Sequence, residues 1–156
     1  MPSPATPSEG VSILFRQPSR GLFRGLRRRP LRDFLKKAAA QVVPGGAVAC
    51  LISGDRELQS LNRQFRGKNA PTDVLSFPSS HGTAGGEIAI SLDRAVEQAA
   101  GFGHTVDDEL RILILHGLLH LAGMDHETDS GQMARAEARW RKTLGLPPGL
   151  VERASV

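Results

Sequence analysis

HGLLHLAGMDH, residues 116–126, places three of the chain's five histidines within eleven positions. Residues i and i+4 of a helix stack on one face, so His116 and His120 can chelate one ion from neighbouring turns. Gly123 tolerates the left-handed conformation that ends a helix, and the turn it permits can bring His126 back as a third nitrogen ligand. Upstream, Leu110 to Ala122 is apolar nearly all round, interrupted only by Arg111 and the two histidines. A helix of that composition is enclosed by protein. The fold is therefore expected to be built around it, with the metal site on a central buried helix.

Working outward, Thr105 is a good N-cap for this helix, and Asp107 to Glu109 sit where the helix dipole favours negative charge. Ser91 can cap a preceding helix that finishes near Gly101. Before it, Glu87 to Ser91 and Val74 to Phe77 read as short strands, the second ended by Pro78, with a flexible loop over Ser79 to Gly86 between them. Asp55 is a plausible N-cap for a helix through Leu58, Leu61, Asn62 and Phe65, and Ala47 to Ser53 reads as a buried strand. Leu31, Phe34, Leu35, Ala38, Ala39 and Val42 recur at helical spacing, which predicts a helix over 31–43 with Pro30 at its first position. Val11 to Arg16 is a candidate strand. After the histidines, Thr128 or Asp129 starts a last helix with Met133, Ala136 and Trp140 inward, followed by a short tail from Leu144. The expectation is an α+β fold, a small mixed four-stranded sheet packed with about five helices.

A chain of 156 residues is about one domain. Residues 1–10 read as a disordered tail and 11–156 as that domain. The single cysteine, Cys50, lies in the apolar run AVACLI, so no disulfide can form within the chain, and a small buried side chain is the expected role. This fits a reducing, cytoplasmic location. VSILF is too short for a signal-peptide core, and Leu110 to Ala122 falls short of the ~20 residues that span a bilayer. No membrane association is expected.

The net charge of +4 is unevenly placed. Residues 16–37 carry nine Lys or Arg against Asp33 alone, giving +8, while the remainder carries −4. Such a segment either meets a polyanion such as RNA, or an acidic membrane surface, or is a solvated arm. Arg27 to Arg29 crowd the start of a helix, where cations oppose the dipole and an external anion would relieve them.

Three histidines leave one position of a tetrahedral zinc open, as in catalytic sites, and metal-assisted hydrolysis is the natural inference. The competing reading is a structural ion completed by Cys50, His81, His104 or a carboxylate. The spacing also resembles the zinc-protease pattern HExxHxxGxxH, but the residue after the first histidine is Gly117 where those enzymes carry the Glu that serves as base. That argues against a metalloprotease. Gly117 itself is either a point of close packing or room for substrate beside the metal.

Together, LNRQFRGKNAPTDVLSFP (Leu61 to Pro78), GEIAIS (Gly86 to Ser91) and HGLLHLAGMDH are similar to the YbeY family of bacterial single-strand-specific endoribonucleases and rRNA maturation factors. Asn69-Ala70 stands where Asp-Lys is common and Glu87 where Asp is common, and the first 46 residues match poorly. The resemblance implies an α+β fold, one Zn²⁺ held by His116, His120 and His126, and a hydrolase acting on the phosphodiester bonds of rRNA. Its implied roles are 16S rRNA 3′-end processing and ribosome quality control, with the small ribosomal subunit as partner and no DNA substrate. The family's arginine falls on Arg66 and is expected to act with the metal. A non-catalytic ribosome assembly factor with a structural metal is the alternative.

A guanidinium suits that role, since it can hold a phosphate bidentately and stabilise charge developing on its oxygens. Lys68 and Arg63 supply general attraction to a polyanion. Asp125 either orients His126 or the metal water, or is simply a turn residue. Seven aromatics, scattered along the chain, offer no evident stacking platform.

Overall fold

The computed structural model describes residues 10–16, 25–79 and 84–151. The tail expected at 1–10 falls outside them apart from Gly10, as do Arg20 and Arg24 of the basic segment, His81 with residues 80–83, and residues 152–156. Elements run β1 (Val11–Phe15), α1 (Arg28–Val42), β2 (Ala47–Ser53), α2 (Asp55–Arg66), β3 (Val74–Pro78), β4 (Gly85–Ser91), α3 (Leu92–Phe102), α4 (Val106–Leu121) and α5 (Gln132–Leu144).

The sheet order is β1-β2-β4-β3. β1 pairs with β2 and β2 with β4 in parallel, and β3 runs antiparallel to β4 along the edge. Parallel neighbours need a crossover, which α1 supplies between β1 and β2. The sheet is thus mixed and four-stranded, as expected. Period-two alternation divides its faces: Val48, Cys50, Ile52, Ile88 and Ile90 pack with α1, α3 and α4, while Leu75 and Ala89 meet Leu58 of α2. On its far side α4 puts Ile112, Leu115 and Leu119 against Met133 and Ala136 of α5. Helix α4 is therefore sandwiched between sheet and helix, which is why its sequence has no polar face.

Several boundaries differ from expectation. Helix α1 starts at Arg28, so Pro30 is its third residue; the first four N–H groups of a helix lack intrahelical acceptors, and the missing donor there goes unnoticed. No acid stands in this first turn, and Arg28 lies over the Phe15 ring, 4.7 Å from its centroid. Gly54, not Asp55, is the N-cap of α2. Asp55 instead accepts from Ser91 Oγ at 2.7 Å and donates its own N–H to Asp93 at 2.8 Å, tying the starts of α2 and α3 together. Ser91 and Thr105 cap α3 and α4 as expected. Helix α5 begins at Gln132, with Asp129 outside it accepting the Met133 N–H at 2.8 Å. In the short tail expected from Leu144, Leu146 is buried and Leu150 packs on the core. Among the described residues no helix is long and apolar enough to cross a membrane.

Candidate metal centre and groove

The end of α4 builds the site. Gly123, at φ +94°, donates its N–H to the His120 carbonyl and Met124 donates to Leu119, a left-handed exit that swings the chain back over the helix. His126 thereby returns beside the two helical histidines. Ring centroids lie 4.7 Å apart for His116 and His120, 5.5 Å for His116 and His126, and 5.7 Å for His120 and His126. One nitrogen from each falls within 4.8 Å of the others, and the Nε2 atoms of His116 and His120 are 3.1 Å apart.

The three differ in setting: His116 is buried, His120 half-buried and His126 exposed. Burial, and then the neighbouring His116 and His126, hold His120 below the ordinary imidazole value, against smaller opposing effects of its backbone contact with Met124 and the charge of Asp125. A neutral imidazole is the form that ligates metal. Three imidazoles converging from one side, open to a groove on the other, fit a divalent ion with one position left for water or substrate.

That groove encloses about 660 Å³ and is lined by Arg66, Lys68, the loop to Asp73, edge strand β3 and the three histidines. Arg66 is the last residue of α2, which ends on left-handed Gly67. Its Nη2 donates to the Ser76 carbonyl at 2.9 Å. Buried Asn62 donates to the Ala70 carbonyl at 3.0 Å and holds the same loop against α2. Asp125 acts as a turn residue, its Oδ1 accepting the Glu127 N–H at 3.0 Å and its carbonyl accepting from Thr128 and Asp129. His104 lies outside the groove and pairs with buried Glu109 at 2.6 Å. Cys50 takes no part either: complete burial pushes its thiol up to about 12.

The two readings of Gly117 separate cleanly. A Cβ there would sit 2.9 Å from Ile88 Cγ2, so the residue marks close approach of α4 to β4, not space for substrate. The position that carries a protease's glutamate faces the sheet, and no carboxylate could occupy it.

Two features escaped sequence reasoning. Glu137, buried on α5, meets His116 Nδ1 through Oε2 at 3.3 Å. Its signal was available, since an acid four residues after Met133 falls on the inward stripe of α5. The second is an aromatic pair: Phe65 and Phe77, twelve residues apart, stand edge to face with centroids 5.3 Å apart, and Phe65 is 60% exposed. Neither ring is among the residues that line the groove, and Phe77 packs with Leu58 and Leu75 on the face of the sheet that α2 covers.

The family model described as Endoribonuclease YbeY matches residues 26–145. The chain belongs to the endoribonuclease YbeY family. It is 51% identical over 145 residues to endoribonuclease YbeY of Solibacter usitatus, covering 93% of this chain and 95% of that protein. It is also 48% identical over 131 residues to endoribonuclease YbeY of Koribacter versatilis, covering 84% and 86%. The solution structure of TM1509 from Thermotoga maritima has a similar fold, with a TM-score of 0.55 and 29% identity over 85% of this chain and 93% of that one. The YbeY match begins well before residue 46, so α1 and the end of the basic segment belong to the family region, contrary to expectation.

Proposed function

We propose that this protein is a zinc-dependent endoribonuclease that cuts single-stranded RNA in the cytoplasm. Its substrate is ribosomal, the 3′ end of 16S rRNA in the small subunit, and the same activity serves ribosome quality control. One observation carries the reading: the three imidazoles and the Arg66 guanidinium line the same groove. Its relatives in Solibacter usitatus and Koribacter versatilis, both named endoribonuclease YbeY, support it.

A zinc ion held by His116, His120 and His126 would supply a Lewis acid for a phosphate oxygen and a site to activate water. Arg66 grips the non-bridging oxygens of the scissile phosphate and stabilises the charge that develops on them. Lys68 adds attraction along the backbone. Exposed Phe65, edge to face with Phe77 and outside the residues that line the groove, offers its ring to an unpaired base flanking the bound segment. A duplex, whose bases are already stacked, cannot use it. Specificity for one cut site then comes from the ribosomal context.

The test compares wild type, Arg66→Glu and His116→Ala for folding, metal content and cleavage of single-stranded RNA. Arg66→Glu is expected to fold, retain metal and lose activity, and His116→Ala to lose metal and activity together. Equal cleavage by all three overturns the enzyme and favours a non-catalytic assembly factor. A 2′,3′-cyclic phosphate on the product identifies the 2′-hydroxyl as nucleophile; a 3′-hydroxyl with a 5′-phosphate identifies water.

A further inference from the structure

The geometry points to Glu137 as a positioning residue for the metal centre, held in place by the segment that follows α5. A carboxylate is costly to bury unless its oxygens are satisfied. Glu137 is 1% exposed, and its two oxygens are divided between two parts of the chain. Oε2 meets His116 Nδ1 at 3.3 Å, and Oε1 accepts the Val151 N–H at 2.9 Å. Gly149 passes so close that a Cβ there would lie 2.1 Å from Oε1. Leu146 and Leu150 anchor this strap on the core at either side.

The consequence concerns one proton. A carboxylate only accepts, so His116 must carry its hydrogen on Nδ1, which leaves the Nε2 lone pair directed at His120 and the common ligand point. Without that partner the imidazole can hold its hydrogen on Nε2, the tautomer in which that nitrogen is not free to ligate. The strap keeps Glu137 in register, so residues 149–151 reach the metal affinity through a carboxylate and an imidazole. This inference rests on the histidine triad being a metal site.

Glu137→Gln tests it with almost no change of volume. An amide can satisfy either the Val151 N–H with its oxygen or His116 with the wrong polarity, but cannot replace both acceptors. Zn²⁺ affinity, measured by competition with a chromophoric chelator, is expected to fall about 10- to 100-fold. ¹⁵N NMR of the metal-free protein is expected to report His116 shifted from the Nδ1–H toward the Nε2–H tautomer. Gly149→Ala, which pushes the strap off Glu137, is expected to lower Zn²⁺ affinity in the same direction. Leu58→Val loosens the separate cluster between α2 and the sheet, away from α5 and the strap, and is expected to lower the melting temperature while leaving tautomer and affinity unchanged. If Leu58→Val weakens Zn²⁺ binding as much as Glu137→Gln, the effect is general destabilisation and the inference falls. Unchanged affinity and tautomer in Glu137→Gln overturn the inference alone. A wild-type protein that binds no Zn²⁺ overturns the metal reading and this inference with it.

Discussion

Arg66 Nη2 donates to the carbonyl of Ser76 at 2.9 Å, and the Ser76 hydroxyl donates onward to the carbonyl of Gly117 at 3.3 Å. The arginine at the end of α2 is thus fixed through edge strand β3 to the residue next to His116. Such a tether positions a charge in advance of substrate, and preorganised charge is what stabilises a transition state without reorganisation. Arg66→Lys keeps the charge but loses the planar fork that bonds both a carbonyl and a phosphate. Cleavage of single-stranded RNA is expected to fall by roughly 10² in kcat/KM, near the low end for removing one preorganised donor. Metal content should hold, and stability should drop by only about 1 kcal/mol, as for one hydrogen bond. A lysine variant with wild-type kcat/KM would mean that Arg66 supplies only charge.

Phe65 offers a cleaner separation of binding from folding. Its ring is 60% exposed, so truncation removes little buried area, and Phe65→Ala should leave the melting temperature nearly unchanged. Base stacking on an aromatic contributes about 1–3 kcal/mol per base, so affinity for a single-stranded oligonucleotide is expected to weaken roughly 5- to 150-fold. Fluorescence anisotropy with a labelled oligonucleotide checks this, using a duplex of the same sequence as the reference. An equal loss for duplex and single strand would remove Phe65 from base recognition.

Gly117 packs where α4 touches β4. Adding a methyl group forces it to within 2.9 Å of Ile88, and overpacking of that kind costs about 1–3 kcal/mol. Ala gains about 1 kcal/mol of helix propensity over Gly, which offsets part of this. Gly117→Ala is therefore expected to destabilise modestly in urea unfolding, and Ile88→Val to recover part of the loss in the double variant. Additive losses would show that the two side chains do not meet.

The histidine cluster and the path to it were legible because helical period, a glycine exit and ligand spacing are all local in sequence. Helix α4 declared its burial by having no polar face, and strands β2 and β4 by their apolar runs. What stayed hidden depended on contacts across the fold. Asp55 looks like an N-cap, yet once β4 brings Ser91 and Asp93 alongside, its carboxylate serves α3 and leaves Gly54 to begin α2. Glu137 and the strap could be joined only after α5 had packed against α4. Phe65 and Phe77 meet only because α2 covers the face of the sheet to which β3 contributes.

Asp129 stands between His126 and α5, and its titration should appear in the stability of that connection. Its Oδ1 accepts the Gly131 N–H at 2.9 Å and its Oδ2 the Met133 N–H at 2.8 Å. These bonds, Gly131's first and Met133's second, hold its carboxyl below the ordinary value of 3.8, with the charges of His126 and Arg135 adding to them. A carboxyl lowered by folding contributes stability that is present above its unfolded pKa and is lost as pH falls through the folded one. Asp129→Ala should therefore be less stable than wild type at pH 6, by an amount that holds until about pH 4 and shrinks on further acidification. Urea unfolding of the two metal-free proteins between pH 6 and pH 2.5 checks this, with metal removed so that histidine ligation does not contribute. A difference that stays constant or widens as the pH falls would mean that the carboxylate charge plays no part in closing α5.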